Sequence, residues 1–141
     1  MPEREIEKVL VREVRNVGGI AYMWVSPGNA GVPDRIVIFP GKDPVFVEVK
    51  TEKGKLTRLQ ESQIRRLERL GQTVYVARGI GGVRRLFEVM GYGQVSQSLE
   101  RGYGPETPGT GDRRCGRMAF MPHAYQRHSV NKIIEIRKLG L

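Results

Sequence analysis

Asp34, Glu48 and Lys50 are the residues of this chain whose types and spacing suit chemistry. Two carboxylates supply hard oxygen ligands, which hold a divalent cation such as Mg2+ while leaving several waters in its shell. Such a cation neutralises a phosphate and acidifies a water. A lysine beside it can orient the attacking water and stabilise negative charge on the phosphate, an electrostatic and orienting role. The three side chains can act together only if the chain makes them converge.

The local pattern predicts that convergence. Asp34–Phe39 and Val45–Lys50 are runs rich in β-branched residues on either side of the five-residue turn Pro40-Gly41-Lys42-Asp43-Pro44, a β-hairpin signal. Alternate residues of a strand share a face. Val45, Val47 and Val49 therefore point toward a core, and Phe46, Glu48 and Lys50 point away from it. With Phe39 paired to Val45, Ile36 lies opposite Glu48 and Asp34 lies opposite Lys50. Asp34 and Glu48 are then diagonal neighbours, roughly 7–8 Å apart at the backbone. A slip of one residue would turn Asp34 to the wrong face.

The remaining elements build a frame around this hairpin. Pro2–Val17 reads as an amphipathic helix, with Ile6, Val9, Leu10, Val14 and Val17 on one stripe and Gly18-Gly19 as its stop. Ile20–Val25 reads as a strand and Ser26–Gly31 as a loop. A helix over Arg58–Leu70, a strand over Thr73–Ala77 and a helix over Val83–Met90 follow. The expected order is α-β-β-β-α-β-α, an α/β fold whose mixed β-sheet is flanked by helices. A helix between the third and fourth strands implies a crossover to a parallel neighbour. These elements fill residues 1–91. Residues 92–117, with their glycines, prolines and Arg113-Arg114, read as a flexible linker. Residues 118–141 form a short tail, in which Val130, Ile133, Ile134 and Leu139 could line a short helix.

Composition narrows the partners. Of 141 residues, 24 are Lys or Arg against 15 Asp or Glu, a formal charge of +9. That balance suits a polyanion, and nucleic acid before a membrane surface. The single cysteine, Cys115, excludes an internal disulfide framework and fits a reducing cytoplasm. The charged opening Met1-Pro2-Glu3-Arg4-Glu5 is not expected to be a secretion leader. No apolar run approaches the ~20 residues that span a bilayer. Gly79-Ile80-Gly81-Gly82 lacks the Lys-Ser/Thr ending of a P-loop. His123 and His128 have no acidic or cysteine cluster beside them.

The run Gly31-Val32-Pro33-Asp34, then Glu48-Val49-Lys50, then Gln60 resembles the PD-(D/E)xK nuclease superfamily. The longer loop Ser26–Arg35 is similar to that of the VRR-NUC family, in its small stand-alone phage and bacterial form. The likeness covers about residues 3–90. It implies a restriction-endonuclease-like core and a Holliday-junction-resolvase-like enzyme. Such an enzyme cuts branched or flapped DNA with Mg2+, or Mn2+ in its place, and often works as a homodimer. It implies Asp34 and Glu48 as metal ligands, Lys50 as the catalytic lysine and Gln60 near the metal or its water. It also implies a glutamate from the first helix. At ~100° per residue Glu5 points away from the buried stripe, while Glu7 lies at its edge. Glu7 is therefore chosen as the third ligand, with Glu3 in reserve. Ser26, Asn29 and Arg35 of the loop, with Lys53, Lys55 and Arg58 after the active strand, are expected on DNA. Met118–Gln126 resembles the opening of phage helicases, which suggests a stub of a neighbouring helicase frame, with a helicase encoded nearby, or a remnant of a fusion.

The site residues also have plainer readings: Glu7 could be one partner of helix-surface ion pairs, and Lys53, Lys55 and Arg58 a solvated face. Pro33-Asp34 suits a turn. Glu48 and Lys50 could line a solvated strand, although Phe46 shares their face. Thr57-Arg58-Leu59-Gln60 is a capping-box pattern, so Gln60 could simply start a helix. Arg65, Arg66 and Arg69 read as a solvated helix face. The expected function is a metal-dependent deoxyribonuclease of the bacterial or phage-infected cytoplasm, selective for branched DNA. The alternative is a DNA-binding module without catalysis, using the basic surface alone. A restriction-type enzyme would need a base-reading element, and the sequence shows no insertion large enough for one.

Overall fold

In the computed structural model, which describes residues 1–103, eight elements follow one another. They are α1 (Glu3–Asn16), β1 (Ile20–Met23), β2 (Arg35–Ile38), β3 (Val45–Lys50), α2 (Arg58–Arg69), β4 (Thr73–Arg78), α3 (Gly79–Val89) and α4 (Gly93–Tyr103). Helix α1 buries Ile6, Val9, Leu10 and Val14, the stripe that the sequence marks. Gly18 closes it at φ 85, a left-handed value that glycine adopts without strain.

The strands form one sheet in the order β1-β2-β3-β4. Pairing is antiparallel between β1 and β2 and between β2 and β3, and parallel between β3 and β4, with α2 in the crossover. This is the expected mixed sheet flanked by helices. Its inner face presents Val37, Val45, Val47, Val49 and Ala77 to Leu10 and Val14 of α1 and to Leu86 and Phe87 of α3. Among the described residues no helix is long and apolar enough to cross a membrane.

The hairpin register differs from the expected one by two residues. Val37, not Phe39, pairs with Val45, and Arg35 pairs with Val47. Phe39 leaves the ladder because it serves the core. It is fully buried, edge-on to Phe87 with ring centroids 5.6 Å apart and stacked on Tyr92 at 5.5 Å. Pro40 and Pro44 have no N–H to extend a ladder between them. Because the strand period is two, the slip keeps every side chain on its predicted face. It does move Asp34, which precedes β2, from opposite Lys50 to opposite Glu48.

Helix α3 starts at Gly79 rather than at Val83. Glycines allow this early start. A Cβ on Gly82 would lie 2.8 Å from the Ala77 carbonyl carbon, so only glycine lets the helix turn so close to β4. The expected linker over residues 92–117 also needs correction at its beginning. Residues 93–103 form α4, which buries Val95, Ser96 and Leu99. Val95 and Leu99 sit one helical turn apart and cover α3, and Ser96 Oγ donates to Glu88 Oε1 at 2.5 Å. The remaining linker residues 104–117 and the tail 118–141 lie outside the described residues, as do Cys115, His123 and His128.

Candidate active site

Asp34 is fixed from the neighbouring strand. Its Oδ2 accepts the backbone N–H of Val49 at 2.8 Å, and its own carbonyl accepts the N–H of Trp24 at 2.9 Å. The carboxylate thus replaces a ladder partner at the point where β2 gives way to the loop. Pro33, before it, is buried and holds the entry. Gly31 lets that loop run against α2: at φ 87, a Cβ there would lie 2.6 Å from the Leu59 carbonyl carbon.

Glu48 sits in the middle of β3 and is 1% exposed, and Lys50 two residues on is 8% exposed. Lys50 Nζ lies 3.3 Å from Glu48 Oε1 and 3.7 Å from Glu3 Oε1. Gln60 Nε2 donates to the same Glu48 oxygen at 2.7 Å. The two readings of Gln60 hold at once. Its Oε1 accepts the Thr57 N–H at 3.0 Å and its N–H donates to Thr57 Oγ1 at 3.2 Å, completing the capping box of α2. One side chain starts the helix and reaches the buried carboxylate.

Electrostatics mark the same pair. Burial pushes the Glu48 carboxyl up to about 7, with the nearby Asp34 charge as the second cause and Lys50 opposing. Burial also raises Asp34. The Val49 N–H works against that rise and the Glu7 charge adds to it. Two carboxylates raised by burial, one of them also by the charge of the other, form a site of excess negative charge that a cation relieves.

The donor set fits a hard divalent ion. The described contacts engage Oδ2 of Asp34 and Oε1 of Glu48, and leave the second oxygen of each carboxylate out. Among the described residues no group of three or more His, Cys, Asp or Glu side chains forms a ready metal cage. Mg2+ does not require one, since it commonly takes one or two carboxylates and completes its shell with waters and a substrate phosphate.

The structure gathers Asp34, Glu48, Lys50 and Gln60. It does not gather Glu7 with them by contact. Glu7 Oε1 accepts from Arg35 Nε at 2.6 Å, and Arg35 also donates to the Ala21 carbonyl at 3.2 Å. Arg35, expected on DNA, is turned inward, with its side chain 16% exposed. Glu3, the reserve choice, is the α1 acid that reaches Lys50. Ser26 and Asn29 close a small turn, with Asn29 Nδ2 donating to Ser26 Oγ at 3.0 Å. Lys53, Lys55 and Arg58 are exposed between β3 and the start of α2. The Arg78 guanidinium braces this connection by donating to the Gly54 carbonyl. Trp24 is the neighbour that sequence reasoning passed over. The alternation Ile20, Tyr22, Trp24 was the signal that sets it on the carboxylate face.

Known proteins resemble this chain over the region that carries these residues. The family model described as "VRR-NUC domain" matches residues 23–80, a span that contains Asp34, Glu48, Lys50 and Gln60. A protein named "Putative nuclease p44", from Acyrthosiphon pisum secondary endosymbiont phage 1, is 51% identical over 74 residues, covering 52% of this chain and 80% of that protein. A solved structure described as "VRR_NUC domain" superposes with a TM-score of 0.58 at 30% identity, over 61% of this chain and 94% of the other. A second, "VRR_NUC domain protein", has a TM-score of 0.50 at 18% identity over 70% and 90% of the two chains, a likeness of fold alone.

Proposed function

The chain belongs to the VRR-NUC family of nuclease domains, and from that premise we propose that it is a metal-dependent endonuclease that hydrolyses DNA phosphodiesters at Asp34, Glu48 and Lys50. The observation that carries this reading is the buried carboxyl of Glu48, raised to about 7 beside Asp34 and in contact with Lys50. A solvated strand face would show none of these features. Burying a charge is costly, and proteins do so mainly where the charge has work to do.

Asp34 and Glu48 would hold the cation, with Mg2+ the expected ion and Mn2+ its substitute. When bound, it supplies Lewis acidity toward the phosphate and toward water. The Lys50 ammonium is held between Glu48 and Glu3, where it can donate to a non-bridging phosphate oxygen and orient the attacking water. Gln60 fixes the rotamer of Glu48. Glu7 acts from α1 by holding Arg35 and through its charge on Asp34. Lys53, Lys55 and Arg58 take the flanking phosphates, with Ser26 and Asn29 at the loop.

On the same reading the substrate is branched DNA, a Holliday junction or flap. The enzyme acts as a homodimer because a four-way junction presents two symmetric cuts. Its place is the bacterial or phage-infected cytoplasm, with a helicase encoded beside it as a partner.

The test compares a labelled four-way junction, a flap and plain duplex in Mg2+, in Mn2+ and in chelator, beside Glu48→Ala. Metal-dependent cutting of the branched substrates, lost in the variant, is expected. Tight salt-sensitive binding by both proteins with no cutting would replace the enzyme with the non-catalytic binding module.

A further inference from the structure

Side chains cross the outer face of the sheet in rows. The Trp24 N–H bond to the Asp34 carbonyl continues the β1–β2 register by one step, so Trp24, Asp34 and Glu48 share a row. The next row holds Tyr22, Ile36 and Phe46. The third holds Ile20 and Ile38. Trp24 is half-buried, and its ring is tilted 44° on Phe46 with centroids 5.1 Å apart. Tyr22 is 54% exposed.

Charge divides this face into two sides. From Val17 to Pro33 the sequence has no charged residue. On the far side of the carboxylates stand Lys50 and Arg78 in one row, with exposed Lys53, Lys55 and Arg58 beyond. A nucleotide has the same division, an anionic phosphate at one end and an uncharged aromatic base at the other. A base within closed duplex is stacked on both faces and has no π-surface to offer. An unpaired base has one, and stacking on aromatic side chains does not depend on its identity.

We propose that Trp24 and Tyr22 form a stacking wall for an unpaired or unstacked base next to the scissile phosphate, so that the site takes DNA with an exposed base face, as at a flap or branch point, in preference to closed duplex. The inference rests on the nuclease reading for the position of the phosphate. Asp34 and Glu48 mark where the phosphate sits, the cations hold the strand on one side, and Trp24 and Tyr22 receive the base on the other. Trp24, tilted on Phe46, is held in place before DNA arrives, which reduces the ordering cost of binding.

Trp24 is the only tryptophan of the chain, so its emission reports directly on this wall. The full chain, in chelator so that no strand is cut, is titrated with single-stranded oligothymidylate and with a hairpin duplex of equal length. Saturable quenching by the single strand and little by the duplex is expected. Tyr22→Ala and Trp24→Leu should each weaken single-strand binding about 5- to 100-fold, read by anisotropy of a labelled oligonucleotide, while duplex binding changes less than about twofold. Trp24→Phe should retain most of the affinity. Circular dichroism confirms that each variant folds. Equal quenching by both DNAs, or unchanged single-strand affinity in Tyr22→Ala, overturns the proposal. Emission that shifts with protein concentration in the absence of DNA assigns the face to a second copy and also overturns it. These readouts need no cleavage, so they can fail while Glu48→Ala still upholds the nuclease, and the reverse.

Discussion

Gln60 and Glu48 are joined by a 2.7 Å hydrogen bond, and the same Gln60 side chain accepts the Thr57 N–H that opens α2. The start of a helix is thereby tied to a buried carboxylate on the adjacent strand. Gln60→Glu separates the two duties. Glutamate serves a capping box as well as glutamine does, so α2 should persist. The donor to Glu48 is replaced by a third negative charge. Cleavage should fall about 10- to 100-fold, with α-helical circular dichroism unchanged. Equal loss of helix and activity would show that the cap is all Gln60 provides.

Acidity gives a second expectation. The carboxyl of Glu48 is raised from 4.5 to about 7, so the folded chain binds this proton more tightly than the unfolded chain. Its contribution to stability is complete below pH 4.5 and is lost as pH rises through about 7. The loss is on the order of 3 kcal/mol in metal-free protein. Thermal denaturation in chelator should show wild type falling in Tm relative to Glu48→Gln between pH 5 and pH 8. Added Mg2+ should restore wild type at pH 8 and leave the variant unmoved. Parallel pH profiles for the two proteins would refute this.

Much of this site is legible in the sequence because strand parity is robust. Val45, Val47 and Val49 had to face a core, and that placed Glu48 and Lys50 together whatever the register. The register itself was not legible. It depends on Phe39 leaving the ladder to pack on Phe87 and Tyr92, residues far along the chain. Helix α4 was missed because only Val95 and Leu99 carry its buried side among serines and glycines. The partner of Glu7 was hidden for a similar reason. Arg35 lies 28 positions away, and helical periodicity cannot show which strand residue an acid will meet.

The Glu7–Arg35 pair makes a third prediction. Their side chains are 26% and 16% exposed, so the pair is neither fully solvated nor fully buried. Arg35→Ala should destabilise the fold by about 1–3 kcal/mol in urea denaturation, since Glu7 is left without its partner. Glu7→Gln should slow cleavage by less than about tenfold. A loss as deep as that of Asp34→Asn would instead make Glu7 a direct ligand of the cation.

Gly31 offers a test of how the loop is positioned. Its φ of 87 and the 2.6 Å approach of a built Cβ to Leu59 leave no room for a side chain. Gly31→Ala should cost about 2 kcal/mol or more, because both the backbone and the contact with α2 are strained. Urea denaturation measures it. An unchanged midpoint would mean that the loop can retreat from α2 freely.

The most direct test of the central claim is the rate of junction cleavage as a function of Mg2+ concentration, for wild type, Asp34→Asn and Glu48→Gln. The account predicts a saturable rise from zero in wild type, and a rate at least about 100- to 1000-fold lower in either variant at every Mg2+ concentration. Cleavage by wild type in chelator, or by either variant near the wild-type rate, would contradict it.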